Sequence, residues 1–166
     1  EWPFYLHKHR WEEQKMDFDF QIITQEQAEG IAYNWKYDGE YAFYDLTADE
    51  EDLAEFLDGD QRGNSTYAVL DQGEMIGFYT FNELNESTID IGLGMHPNLT
   101  GKGKGEAFMR AGVDFSIARY APETLTLSIA AFNNRANKVY KKVGFVPIGA
   151  FIQETNGSCY EFIKMS

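Results

Sequence analysis

At 166 residues, with 43% of them hydrophobic and 16% aromatic, the chain can bury one full core and is too short for two ordinary domains. A formal net charge of -13 argues against nucleic acid as a partner and favours a cationic peptide or amine. No apolar run approaches the roughly 20 residues of a membrane span, and the single cysteine, Cys159, excludes an internal disulfide or a cysteine zinc site and fits a reducing, cytoplasmic compartment.

Residues Glu1 to Lys15 show no clean helical or strand period and read as an extension outside a domain spanning 16–166. Natural translation is expected to begin at Met16, because Trp11 to Met16 could be encoded by a purine-rich stretch like a bacterial ribosome-binding site read through in frame. The segment is charged and aromatic and lacks the apolar centre and cleavage site of a secretory signal. Asp17 to Ile23 alternates as a first strand. Thr24 and Gln27 form a capping box that opens a helix to about Tyr33. Trp35 to Tyr44 reads as an aromatic loop, after which Thr47 or Asp49 opens a second helix with Leu53, Phe56 and Leu57 on one face, ended by Gly59 and Gly63. An acidic run from Asp38 to Asp60 crosses this stretch and reads first as a solvated helix face.

Three short-linked strands follow, Thr66 to Leu70, Met75 to Phe81 and Thr88 to Met95, which the turn lengths make an antiparallel meander. His96-Pro97-Asn98 stops the third of them. Gly103 or Gly105 starts a long helix to Tyr120 with Phe108, Ala111, Phe115 and Ala118 buried, and Leu125 to Ile129 is a strand reached by a helical crossover, hence parallel to its predecessor. Asn133 caps a last helix with Ala136, Val139, Tyr140 and Val143 on its apolar face and Gly144 as its C-cap. Phe145 to Ile152 and Ser158 to Met165 form a terminal hairpin around Asn156-Gly157. The fold class is therefore α+β, in three layers of helix, sheet and helix. Cys159, between a loop and a terminal strand, reads as a small core residue.

Two stretches carry chemistry. In Thr100-Gly101-Lys102-Gly103-Lys104-Gly105, alternate glycines allow a tight turn and present N–H groups at a helix N-terminus, which suits a diphosphate. Neither a Gly-Lys-Ser/Thr nor a G-x-G-x-x-G pattern is present, and the plain alternative is a flexible start to the helix. In Asn133 to Phe145, Asn133 and Tyr140 lie about two helical turns apart on one face. Taken alone, Tyr140 reads as a core tyrosine.

Together these stretches resemble the GNAT superfamily of N-acetyltransferases. Asp90-Ile91-Gly92-Leu93-Gly94-Met95-His96-Pro97 with the Gly101, Gly103, Gly105 loop is similar to the family's acetyl-CoA motif, and Asn133 to Phe145 is similar to its second motif. The resemblance covers about Phe18 to Met165, with Thr100 standing where the family usually has arginine or glutamine. It implies a mixed, mostly antiparallel sheet splayed between the fourth and fifth strands, with about four helices. It also implies that the backbone of Leu93, Gly94 and Met95 pairs with the pantetheine arm of acetyl-CoA. Amides of Gly101 and Lys102 to Gly105 would hold the pyrophosphate, Asn133 would contact pantetheine, and Tyr140 would be the general acid.

The implied reaction is direct attack of a neutral amine on the thioester, with no metal. An amine of pKa about 10.4 is mostly protonated at neutral pH, and losing that proton costs roughly 4 to 5 kcal/mol, so a base or water chain is needed. Asp90 on the fourth strand and Glu83 in the preceding turn are the candidates, each with an alternative life as a solvated polar residue. By resemblance, the acceptor site falls where Trp35, Tyr37, Tyr41, Tyr44 and Asp45 gather, and aromatic walls with carboxylates suit a cation. Related domains often dimerise, so a homodimer is a further expectation. Two other readings stay open: a non-catalytic acyl-CoA-binding module that kept the fold, and a nucleotide-dependent enzyme using the glycine loop.

Overall fold

The computed structural model describes residues 18–166. The extension Glu1 to Lys15 and the start at Met16 lie outside the described residues. Strand β1 (Phe18–Ile22) turns Phe18 and Phe20 to the core and Asp19 and Gln21 to solvent. Thr24 then caps α1 (Gln25–Asn34) in a full capping box, its hydroxyl accepting from the Gln27 amide while the Gln27 side chain accepts from the Thr24 amide.

The stretch Trp35 to Tyr44, expected as a loop, ends in a 3₁₀ turn, Gly39–Tyr44, and a second such turn, Leu46–Ala48, follows it. Asp49 opens α2 (Glu50–Leu57) by accepting from the Glu51 and Asp52 amides. The helix stops at Asp58, before the glycines expected to end it, because the Asp58 carboxylate caps a new single turn, α3 (Gly59–Arg62), through the Asp60 and Gln61 amides. Arg62 is buried there and donates to the Phe56 carbonyl and the Gln25 side chain, fastening three helices together.

Strands β2 (Thr66–Asp71), β3 (Glu74–Glu83) and β4 (Thr88–Met95) form the antiparallel meander. Helix α4 (Gly105–Tyr120) crosses over to β5 (Thr124–Ala130), which runs parallel to β4. Helix α5 (Asn134–Val143) leads to the hairpin β6 (Pro147–Thr155) and β7 (Ser158–Met165), with β6 starting and ending later than the sequence suggests. The seven-stranded sheet has the order β1-β2-β3-β4-β5-β7-β6.

Strand alternation divides the core between the two faces. Tyr67, Val69, Tyr79 and Phe81 point to one face, where they pack with Phe108 and Met109 of α4 and Tyr140 of α5. Ala68 and Phe78 point to the other, against Ala28 and Ile31 of α1 and Trp35. This is the three-layer arrangement. Two expected core positions are corrected. Helix α4 centres its buried stripe on Phe108, Gly112 and Ser116, so the 3.6-residue period carries Ala118 off it to solvent. Cys159 is exposed, near the tip of the hairpin, where it pairs with Glu154.

Candidate active site

Strands β4 and β5 pair from Thr88↔Thr124 only as far as Ile91↔Leu127. Beyond that rung β4 stays with β3 up to Met95↔Gly77, while β5 turns to β7 through Leu127↔Met165 to Ala130↔Phe162. Each strand is held by a different outer neighbour, so the two part. Gly92 to Met95 are left facing the gap with main-chain groups that β5 does not pair. That is where a ligand can add itself as a strand.

The chain next turns through a cradle. Gly101 and Gly103 have φ of 74° and 78°, a region that side chains rarely adopt, so a substitution at either is strained. Gly105 begins α4 where a Cβ would stand 3.5 Å from Val139 of α5. Lys104, the N-cap, offers no side-chain acceptor, so the first amides of a 16-residue helix are left for an outside anion. Left-handed glycines, uncapped amides and a helix dipole fit a diphosphate. Among the described residues, no three His, Cys, Asp or Glu side chains gather as a metal site.

The gap and the cradle open into one cavity of about 450 Å³. Its walls include Trp35, Tyr37, Tyr41, Tyr44, Leu93, Gly94, Met95, Gly101, Gly103, Gly105, Asn133 and Tyr140 from the sequence-derived candidates. Lys102, Lys104, Asp45, Asp90 and Glu83 lie outside that lining. Ile31, Leu46, Phe78, Phe108, Arg135, Ala136 and Val139 also line it and are not among the site candidates read from the sequence. The apolar ones carry only the signal of core residues, whereas Arg135 stands inside the second motif.

Several candidates already have partners. The Tyr37 hydroxyl donates to the Met95 carbonyl at 2.7 Å, and the Tyr37 amide donates to Asp45 at 2.9 Å. Asn133 uses both ends of its side chain, accepting from the Ala136 amide and donating to the Tyr44 hydroxyl at 2.9 Å. Tyr140 is buried, its hydroxyl has no hydrogen-bond partner among the described residues, and burial first, then the Tyr44 phenol, pushes its pKa well up. Asp90 sits on the rung opposite Thr126 and accepts its hydroxyl at 2.7 Å, one rung before the strands part. Glu83 pairs across from Ile89, a residue of the core beneath α4, so alternation puts it on the face opposite Asp90.

The sequence model of the Acetyltransferase (GNAT) family matches residues 2–145. No curated protein matches the chain. Among solved structures, spermidine N-acetyltransferase from Vibrio cholerae, in complex with CoA and spermine, aligns with a TM-score of 0.71 at 20% identity, covering 90% of this chain and 94% of that one. An acetyltransferase (GNAT family) from Bacillus anthracis aligns with a TM-score of 0.69 at 15% identity, covering 90% and 93%. With the family model spanning most of the sequence and the sheet parting at the β4–β5 rung, the chain belongs to the GNAT family and is an acetyl-CoA-dependent N-acetyltransferase.

Proposed function

We propose that the chain transfers an acetyl group from acetyl-CoA to a cationic primary amine, on a small molecule or a peptide, by direct attack. The observation that carries this reading is Tyr140, a buried phenol with no hydrogen-bond partner among the described residues, on the wall of the cavity that joins the glycine cradle to the parted stretch of β4. Bound acetyl-CoA would supply the activated acyl group. Amides of Gly101 to Gly105 and the first turn of α4 would hold its diphosphate, and the backbone of Leu93, Gly94 and Met95 would lie along its pantetheine arm. Asn133 would reach that arm by giving up its bond to Tyr44.

In the reaction the amine nitrogen forms a bond to the acyl carbon, the carbon–sulfur bond breaks, and the amine gives up a proton. Tyr140 would donate its phenolic proton to the departing sulfur; burial keeps that proton in place until it is needed. Asp90, with one oxygen held by Thr126, would accept the amine's proton directly or through water. Glu83, on the other face, is the second candidate base. The acidic composition and the spermine bound in the Vibrio cholerae relative both support a cationic acceptor, recognised along the aromatic wall of Trp35, Tyr37, Tyr41 and Tyr44 beside Asp45. We place the enzyme in a bacterial cytoplasm; among the described residues no helix is long and apolar enough to cross a membrane. The exposed outer strand β6 supports a homodimer.

The test is a panel of polyamines, aminoglycosides and peptide amines, with release of free CoA thiol as the readout. Amine-dependent thiol release that falls as salt rises supports the reading. Tight acetyl-CoA binding without release from any amine favours the non-catalytic acyl-CoA-binding module.

A further inference from the structure

Arg135 occupies the first turn of α5, and neither its charge nor its position is used in the reaction above. Its guanidinium carbon lies 4.2 Å from the centroid of the Tyr41 ring. One terminal nitrogen, Nη1, lies 3.0 Å from where a Cβ on Gly101 would stand. The planar group is therefore held between an aromatic face on the 3₁₀ turn and the first glycine of the cradle. In a chain with 27 acidic and 14 basic residues, it makes no salt bridge to any described carboxylate.

The other groups around the cradle do not duplicate it. The Thr100 hydroxyl is turned back to the Pro97 carbonyl, and Lys102 and Lys104 are exposed. A guanidinium presents paired donors that match two oxygens of one phosphate, and stacking on a ring limits the rotamers it must lose on binding. We infer that Arg135 is a specificity residue for the cofactor, binding a phosphate of acetyl-CoA while Tyr41 holds it in position. The inference rests on the acetyl-CoA reading of this cavity. It also gives the Tyr41 ring an internal cation to hold, beside its place on the aromatic wall of the cavity.

Calorimetric titration with CoA and with 3′-dephospho-CoA tests this on the wild type, Arg135→Gln, Arg135→Lys and Tyr41→Leu. Arg135→Gln should weaken CoA binding by about tenfold to a hundredfold, the scale of losing charge-assisted hydrogen bonds, and flatten the salt dependence. Arg135→Lys keeps the charge without the fork and should recover only part of the loss. Tyr41→Leu should cost a few-fold, since the stacking partner is gone and the charge remains. A larger effect of Arg135→Gln on CoA than on 3′-dephospho-CoA assigns the contact to the 3′-phosphate, and equal effects assign it to the diphosphate. Wild-type CoA affinity in a folded Arg135→Gln overturns the inference while leaving the acetyl-CoA reading intact. Should that variant not fold, unchanged affinity in Arg135→Lys overturns it equally. A wild-type chain that binds no CoA overturns both.

Discussion

At the scale of single residues, Tyr140 belongs to two environments. Its ring packs in the core beneath the sheet, 9% exposed, while its hydroxyl has no hydrogen-bond partner among the described residues and the residue lines the cavity. Tyr140→Phe keeps the ring, so melting temperature and CoA affinity should change little. Turnover should fall by about 10² to 10⁴ where proton donation limits the rate, and single-turnover kinetics separate that from slow product release. Burial disfavours the charged phenolate, so the acid form persists above the ordinary phenol value of 10.0. The wild-type pH–rate profile should therefore show no loss assignable to this phenol on passing through that value. Normal single-turnover rates in Tyr140→Phe would leave solvent as the proton donor and Tyr140 as packing.

Between elements, the aromatic and acidic stretch is tied to the terminal hairpin. One oxygen of Asp49 caps α2, and the other accepts from the Asn156 amide at 2.9 Å and the Thr155 hydroxyl at 3.3 Å. Asn156 in turn donates its side-chain amide to the Phe43 carbonyl. The Asn156 amide first, then that of Asp52, holds the Asp49 carboxyl below its ordinary 3.8. A depressed folded value means stabilisation that is present above about 3.8 and is lost as pH falls through the folded value. Asp49→Asn must give up either the cap or the latch, because one of its two side-chain atoms is a donor only. Its melting temperature should be lower than wild type at neutral pH, with the gap closing as the medium becomes more acidic than the ordinary carboxylate range. A gap that stays constant with pH would mean that the carboxylate charge does not matter here. This latch also marks what the sequence makes legible. Thr24 with Gln27, Asn133 and Gly144 are readable because cap and amide lie within a few residues of each other. Asp49 and Asn156 lie 107 positions apart, as no local period can indicate, and the acidic run that reads as a solvated face holds three working side chains, Asp45, Asp49 and Asp58. Arg135 was missed for the same reason, since its ring partner comes from the far side of the sheet sequence.

For the whole molecule, the two outer strands of the sheet contrast. β1 sends Asp19 and Gln21 to solvent, whereas β6 leaves Val146, Ile148, Phe151 and Ile152 exposed, at 59%, 57%, 37% and 66% around and along it. From Val143 to Gln153 no residue is charged, in a chain where 25% are. An outer strand with free main-chain groups, apolar side chains and no charge to block it is a template for pairing, and an antiparallel partner of the same sequence closes the arrangement with a two-fold axis. The net charge of -13 opposes the approach of two copies, so the proposed dimer would pair through this neutral strip and should strengthen as salt screens the rest. Sedimentation of the wild type across a concentration series should show a dimer that tightens with salt. Ile152→Glu should yield a monomer with a melting temperature close to that of the wild type at low concentration, because the side chain it replaces already faces solvent. It should also retain CoA binding, since β6 contributes nothing to the cavity lining. A wild type that stays monomeric at high concentration and high salt, or an Ile152→Glu variant that dimerises as the wild type does, would remove β6 as the interface.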